Sequence, residues 1–240
     1  MKKASIFFTL VFVALSNCLI AQQISLSTIP STTHPISDFY GLNGQNALTT
    51  TSNYANPNVR TGLIPSKASY LRFPGGTLAN FWDWQEGWFF RNKEDNGALS
   101  LDLDYQKMNR LTPVFSGATS NLNDEGSNYI KDLATTLAHT GTKPLFVLNP
   151  LTSDMQYQIA MLLEAKLLNL NIKRVEIGNE FYLSLTANQE KFSTSAQYAD
   201  LVKAWKLEIK NYLGSDVLVS AVAANRDYNS LTNEWIHNNC

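Results

Sequence analysis

The stretch Arg174–Glu180, RVEIGNE, begins with alternating polar and apolar residues and ends with the amide of Asn179 and the carboxylate of Glu180. Val175 and Ile177 favour a buried β-strand, and Gly178 ends the pattern before Asn179 and Glu180. Ligands of parallel α/β folds bind at the carboxyl ends of the strands. Asn179 and Glu180 are therefore the first candidates for a functional site.

Four other stretches have the same character, and helical patterns separate them. Each is a short, largely apolar run that ends at a polar residue, a proline or a glycine. Near-continuous apolar strands of this kind predict a parallel sheet that is covered on both faces. The five predicted strands are 39–43, 69–73, 145–149, 174–178 and 217–222.

Three amphipathic helices are predicted between these strands. One starts near Ser127 and closes at Gly141, and a second starts at a capping box formed by Ser153 and Gln156. A third has a regular apolar stripe, which we assign to the core. The stripe consists of Tyr198, Leu201, Val202, Trp205 and Ile209.

The alternation of strands and helices fits either an open doubly wound sheet or a closed (β/α) barrel. A doubly wound sheet usually has a glycine-rich phosphate loop, and neither G-x-G-x-x-G nor G-x-x-x-x-G-K-[ST] occurs in the sequence. We therefore predict no cofactor. His34, His139 and His237 are scattered, so we predict no metal site.

Polar and aromatic residues cluster at the predicted strand ends. Amides read hydroxyl groups, and indole faces stack on the apolar faces of sugar rings. A carboxylic acid in a partly apolar pocket can protonate a leaving oxygen. This combination favours a carbohydrate ligand over a phosphate or a peptide. The residues are Asn43, Arg72, Trp82, Trp84, Asn149, Asn179, Glu180, Tyr182, Asn225 and Arg226.

Two segments that contain some of these residues resemble segments of a known enzyme family. Residues 175–180, VEIGNE, resemble strand four of the clan A glycoside hydrolases, which have a (β/α)8 TIM barrel. Residues 71–76, LRFPGG, with the Trp-rich loop after them, resemble strand two of α-L-arabinofuranosidases and of the heparanase/β-glucuronidase group. The resemblance implies an α/β fold of the TIM-barrel type and a retaining glycosidase acting on a polysaccharide or oligosaccharide.

The resemblance also implies roles for single residues. Glu180 would be the general acid/base, and Asn179 would contact the sugar 2-hydroxyl. Arg72 would lie beneath the site and help to keep the nucleophile ionised. Further candidate substrate-binding residues are Asn149, Trp82, Trp84 and Tyr182.

The predicted barrel is incomplete. Only about five of the eight strand–helix units are legible, and a complete barrel takes about 250 residues. Residues 38–240 are therefore expected to be the N-terminal part of a catalytic barrel, with the nucleophile beyond residue 240. We expect the isolated chain to be inactive as a glycosidase.

Simpler interpretations remain open. The chain could be a non-catalytic carbohydrate-binding relative of the barrel that lacks the second carboxylate. Asn179 and Glu180 could cap a helix, Trp82 and Trp84 could pack in the core, and Arg72 could be a buried ion-pair partner.

The composition excludes several classes of protein. Nineteen basic residues balance 20 acidic ones over 240 residues, and only 16% of residues are charged. A chain with so little net charge is not expected to bind nucleic acid, which requires an excess of basic residues. Its 44% hydrophobic content excludes a disordered polyampholyte. Nothing in the sequence indicates an oligomeric state.

The N-terminus predicts export. Lys2 and Lys3 precede an apolar run, and small and polar residues follow it, which is typical of a secretory signal peptide over 1–21 with cleavage after Ala21. The run is too short for a membrane span. Asn17 argues against the alternative of a lipoprotein modified at Cys18. We predict a polar lead-in over 22–37 and a secreted, periplasmic or cell-surface protein.

Overall fold

The computed structural model describes residues 40–44, 53–89, 91–92, 98–99, 128–183 and 185–223. The chain divides into two compact units, Met1–Ile36 and Ser37–Cys240, and every described residue belongs to the second unit. The predicted signal peptide (1–21), the lead-in (22–37) and the strand-end residues Asn225 and Arg226 lie outside the described residues.

The described part of the chain contains nine strands and five α-helices, and a short 3₁₀ helix follows α1 and another follows β2. In chain order the elements are β1 (Gly41–Asn43), α1 (Pro57–Leu63), β2 (Tyr70–Phe73), β3 (Trp82–Asp83), β4 (Trp88–Phe89), β5 (Arg91–Asn92), β6 (Ala98–Leu99), α2 (Ile130–Thr140), β7 (Lys143–Leu148), α3 (Met155–Leu167), β8 (Arg174–Ile177), α4 (Thr186–Lys191), α5 (Ser195–Leu213) and β9 (Leu218–Ala221).

Five strands form one parallel sheet in the order β1-β2-β7-β8-β9. All five predicted strands are confirmed, each within two residues of its predicted bounds. Neighbouring strands follow the order of the chain, without the reversal that defines a doubly wound sheet. Of the two architectures that the sequence leaves open, the strand order is that of a (β/α) barrel.

One face of the sheet forms the core with the helices. Leu71 and Phe73 of β2 are almost fully buried there, and so are Val175 and Ile177 of β8. On the other face Arg72 is only half-buried. The second face of β2 also carries Tyr70, which is buried, and that of β8 carries the half-buried Arg174 and Glu176. Because side chains alternate along a strand, this more polar face is the less buried of the two.

The helix boundaries differ from the sequence patterns at one end. Asp154, not Ser153, caps α3, because its side chain accepts a hydrogen bond from the backbone N–H of Tyr157. Gly141 ends α2 as predicted, with a φ of 69° that favours glycine. The helix α5 starts at a capping box of Thr194 and Gln197, which was not predicted from the sequence.

Tyr198 on α5 connects the carboxyl ends of the neighbouring strands β8 and β9. Its ring is fully buried, and its hydroxyl donates to the carbonyl of Ile177 at 2.5 Å. The same hydroxyl accepts from the backbone N–H of Val222 at 2.8 Å. Burial raises the pKa of Tyr198, so the phenol stays protonated at neutral pH. The end of β8, where the candidate site starts, is thereby anchored to α5.

We expect Tyr198→Phe to lower the free energy of unfolding by about 1–3 kcal/mol, because the buried Ile177 carbonyl and the partly buried Val222 N–H both lose this partner. Urea unfolding measures this as a lower midpoint with an unchanged m-value. Tyr212→Phe is the matched control, since Tyr212 is 44% exposed. Equal midpoints for the two variants would contradict the anchoring role.

Candidate active site

Arg72 and Glu176 form an ion pair at the carboxyl end of the sheet. The Arg72 Nε and Nη2 atoms each lie 2.7 Å from Glu176 Oε2, and both side chains are about a quarter exposed. Arg72 Nη2 also donates to Asn179 Oδ1 at 3.0 Å. Arg72 therefore joins β2 to β8 and orients Asn179. Within the described residues the partners of Arg72 are Glu176 and Asn179, and its role toward a nucleophile stays a prediction.

The turn after β8 has an unusual backbone. Gly178 has a φ of 81°, and a Cβ atom there would clash with the ring of Phe181. Glu180 has a φ of 50°, which is uncommon for a residue with a side chain. Such strain is held by the surrounding structure and is found most often at functional sites.

Three side chains hold the Glu180 carboxylate. Thr77 Oγ1 donates to Glu180 Oε2 at 3.3 Å, and Asn179 Nδ2 donates to the same oxygen at 3.3 Å. The Tyr182 hydroxyl donates to Oε1 at 3.1 Å. Glu180 itself is half-buried. Its carboxyl group thus has a fixed orientation and partial access to solvent, as proton transfer to a bound ligand requires.

Asn80 was not among the predicted catalytic or substrate-binding residues, and the structure places it at the site. It is fully buried, its Nδ2 donates to the Asn179 carbonyl at 2.7 Å, and its Oδ1 accepts from the Asn179 N–H at 3.0 Å. The buried amide of Asn188 donates to the carbonyl of Glu180 at 3.4 Å. These two amides fix the backbone on both sides of the candidate acid/base. The sequence signal for Asn80 is an amide inside the otherwise apolar run 78–82. The sequence around Asn188 carries no comparable signal.

Asn149 lies at the end of β7, as predicted, but its side chain is used within the protein. Its Nδ2 donates to the Trp82 carbonyl and to Thr152 Oγ1, and its Oδ1 accepts from the N–H groups of Leu151 and Thr152. An amide has two donors and accepts about two bonds, so none is left for a substrate. Asn149 is 1% exposed and shapes the loop instead.

The two tryptophans are not brought to Glu180. Trp82 is 2% exposed and packs edge-on against Phe73 with ring centroids 6.0 Å apart. A buried indole cannot stack on a sugar, so the core interpretation holds for Trp82. Trp84 lies against α3, where its Nε1 donates to the Tyr157 carbonyl at 3.0 Å. Of the predicted residues, the structure groups Arg72, Asn179, Glu180 and Tyr182, and Thr77 and Asn80 join them.

Comparison with known proteins identifies the fold. No family model matches the sequence, and no curated protein matches it. Among solved structures, the thermostable GH51 α-L-arabinofuranosidase from Thermotoga petrophila RKU-1 has a TM-score of 0.50 at 18% identity, over 70% of this chain and 34% of that one. The family 51 α-L-arabinofuranosidase AbfB from Bifidobacterium longum has a TM-score of 0.50 at 14% identity, over 82% of this chain and 40% of that one.

The sheet has the fold of part of a TIM-barrel glycosidase. At these identities the likeness concerns the fold alone. The chain spans about a third of the length of the first of these enzymes and two fifths of the second. Among the described residues, no helix is both long enough and apolar enough to cross a bilayer.

Proposed function

We propose that this chain carries the acid/base part of a retaining glycoside hydrolase, with Glu180 as the catalytic acid and base. The observation that supports this most strongly is the Glu180 carboxyl group at the carboxyl end of β8, held by Thr77, Asn179 and Tyr182. Active sites of TIM-barrel enzymes are built at this end of the strands.

In this mechanism Glu180 acts twice. It first protonates the oxygen of the leaving sugar, and after a glycosyl-enzyme intermediate has formed it removes a proton from the attacking water. Asn179 would contact the sugar. Its Nδ2 bonds to Thr77 and Glu180 are long, at 3.4 and 3.3 Å, so a sugar hydroxyl can replace either of them. Tyr182 keeps the carboxyl group aligned through both steps.

A retaining enzyme needs a second carboxylate about 5–5.5 Å from the first. Glu176 is committed to the ion pair with Arg72, so we do not assign it this role. We place the nucleophile on a carboxylate outside the described residues.

The stereochemistry of hydrolysis tests this function. The two fold neighbours are named as α-L-arabinofuranosidases, so 4-nitrophenyl α-L-arabinofuranoside is the first substrate for the full-length natural protein, followed by arabinan and arabinoxylan. Proton NMR of the first-formed product should show the anomeric configuration of the substrate. An inverted product would contradict the retaining mechanism, and the absence of hydrolysis on any glycoside would favour a non-catalytic sugar-binding protein.

We also propose that the protein is exported by cleavage of residues 1–21. Lys2, Lys3 and the apolar run that follows support this. Mass spectrometry of the protein from its native cells should find Gln22 as the first residue. A mature protein that starts at Cys18 with a lipid mass would show a lipoprotein, and retention of Met1–Ala21 would contradict export by this signal.

A further inference from the structure

A concave site lies outside the Glu180 cluster. A cavity of about 260 Å³ opens where the start of α2 faces α3 and the loop after β3. None of the residues that hydrogen-bond to the Glu180 carboxylate lines it. The lining residues, which we call the α2–α3 cavity, are Trp84, Gln85, Tyr129, Ile130, Lys131 and Glu164.

The indole of Trp84 is held in place at this cavity. Its Nε1 donates to the Tyr157 carbonyl, and its ring lies 5.5 Å from the Tyr157 ring at an angle of 50°. The Tyr157 hydroxyl donates to Asp83 Oδ1 at 2.5 Å. Burial, followed by this bond to Asp83, raises the pKa of Tyr157, so the hydroxyl remains a donor. An aromatic side chain that is already ordered loses little entropy when a ligand stacks on it.

The other lining residues indicate the chemistry of the ligand. Ile130 is buried and forms an apolar wall, and Gln85 offers an exposed amide that can bond to hydroxyl groups. Lys131 and Glu164 contribute one charge of each sign. The Lys131 ammonium lies 5.0 Å from the centroid of the Tyr129 ring, and the lining residues carry no excess of positive charge that would favour a phosphate or a polyanion. An aromatic platform with polar groups around it suits an amphipathic ring that carries hydroxyl groups.

We propose that the α2–α3 cavity binds one ring of a neutral polysaccharide, at a site separate from Glu180. Pockets for drug-sized ligands have volumes of about 300–1,000 Å³, so a cavity of about 260 Å³ fits a single ring. This function goes beyond hydrolysis, since the site breaks no bond and holds the polymer to the protein.

Affinity electrophoresis of the full chain in gels with arabinan, xylan or β-glucan tests the site. We expect Trp84→Ala to weaken binding of at least one of these polymers about tenfold, because a stacking ring is lost. Trp84→Phe is the matched control: it keeps a ring and lacks the Nε1 donor, and should bind within about threefold of wild type. Glu190→Gln, at an exposed position of α4 outside both sites, should bind as wild type and controls for a general effect of substitution.

A folded Trp84→Ala variant with wild-type binding of all three polymers would overturn the proposal. Equal weakening by Trp84→Phe would also overturn it, because loss of the hydrogen bond would then explain the result without stacking. If Trp84→Ala does not fold, Tyr129→Ala replaces it, with weakened binding expected and unchanged binding again contradicting the site. Stronger retardation by polygalacturonate than by the neutral polymers would show that the ligand class is wrong.

Discussion

Glu180→Gln should slow hydrolysis of a substrate with a poor leaving group by about a hundredfold to ten-thousandfold, the usual contribution of a general acid. The amide has the same shape as the carboxyl group and cannot supply a proton. The measurement is kcat/KM of the full-length natural protein on an alkyl or oligosaccharide glycoside. A dinitrophenyl glycoside should be affected far less in this parameter, because its leaving group departs without protonation.

Two further glutamates serve as controls for this prediction. Glu190→Gln changes an exposed residue of α4 and should leave both substrates unaffected. Glu176→Gln breaks the pair with Arg72 and should lower stability without discriminating between leaving groups. If Glu180→Gln slows both substrates by the same factor, Glu180 is a structural residue and not the acid.

Asn80→Leu should lower the free energy of unfolding by about 3 kcal/mol, because the buried N–H and C=O of Asn179 both lose their partner. The leucine has the same branching and the same number of side-chain heavy atoms but is larger than asparagine, so the loss combines the hydrogen bonds with some overpacking at this buried position. Activity of the folded fraction should fall as well, since Asn80 fixes the backbone next to Glu180. Chemical denaturation and kcat together measure the two effects.

The matched control is Asn58→Leu in α1, where the asparagine is exposed. A surface substitution of this kind changes stability by about 0.5 kcal/mol or less. An Asn80→Leu variant as stable as Asn58→Leu would contradict the role of Asn80 in holding the Asn179 backbone. A variant that is destabilised and retains wild-type kcat would limit Asn80 to a structural role.

Much of the fold could be predicted because its signals are local. Strands such as Lys143–Leu148 and Arg174–Ile177 contain short apolar runs ended by glycine or asparagine, and the stripe on α5 repeats at helical spacing. The cap of α3 could not be settled in this way. Ser153 and Asp154 are both good N-cap residues, and only the backbone geometry selects Asp154.

The candidate site was only partly predictable, because a strand end specifies where a residue lies and not which partners it finds. Glu180 and Asn179 follow from the end of β8. Asn149 also stands at a strand end, yet its amide bonds are all satisfied by its own loop and by Trp82. The hydrogen bonds between Asn80 and Asn179 join residues 99 positions apart, and no local sequence pattern predicts such a contact.

The aromatic residues show the same limit. Trp82 and Trp84 are two positions apart after β2, and this position made both of them candidate sugar-binding residues while core packing stayed open. The structure buries Trp82 against Phe73 and places Trp84 at the α2–α3 cavity. Trp82 lies in β3 of the short β3–β4 hairpin and Trp84 follows that strand, and the sequence did not predict this hairpin.

A crystal structure of the full-length Glu180→Gln protein with an uncleaved oligosaccharide examines the role of this residue at atomic detail. We predict that the glycosidic oxygen lies within about 2.6–3.2 Å of the side-chain amide at position 180, with Thr77 and Tyr182 still bonded to that side chain. An oligosaccharide bound elsewhere, or a residue 180 directed into solvent away from Arg72 and Asn179, would contradict the assignment of Glu180 as the catalytic acid.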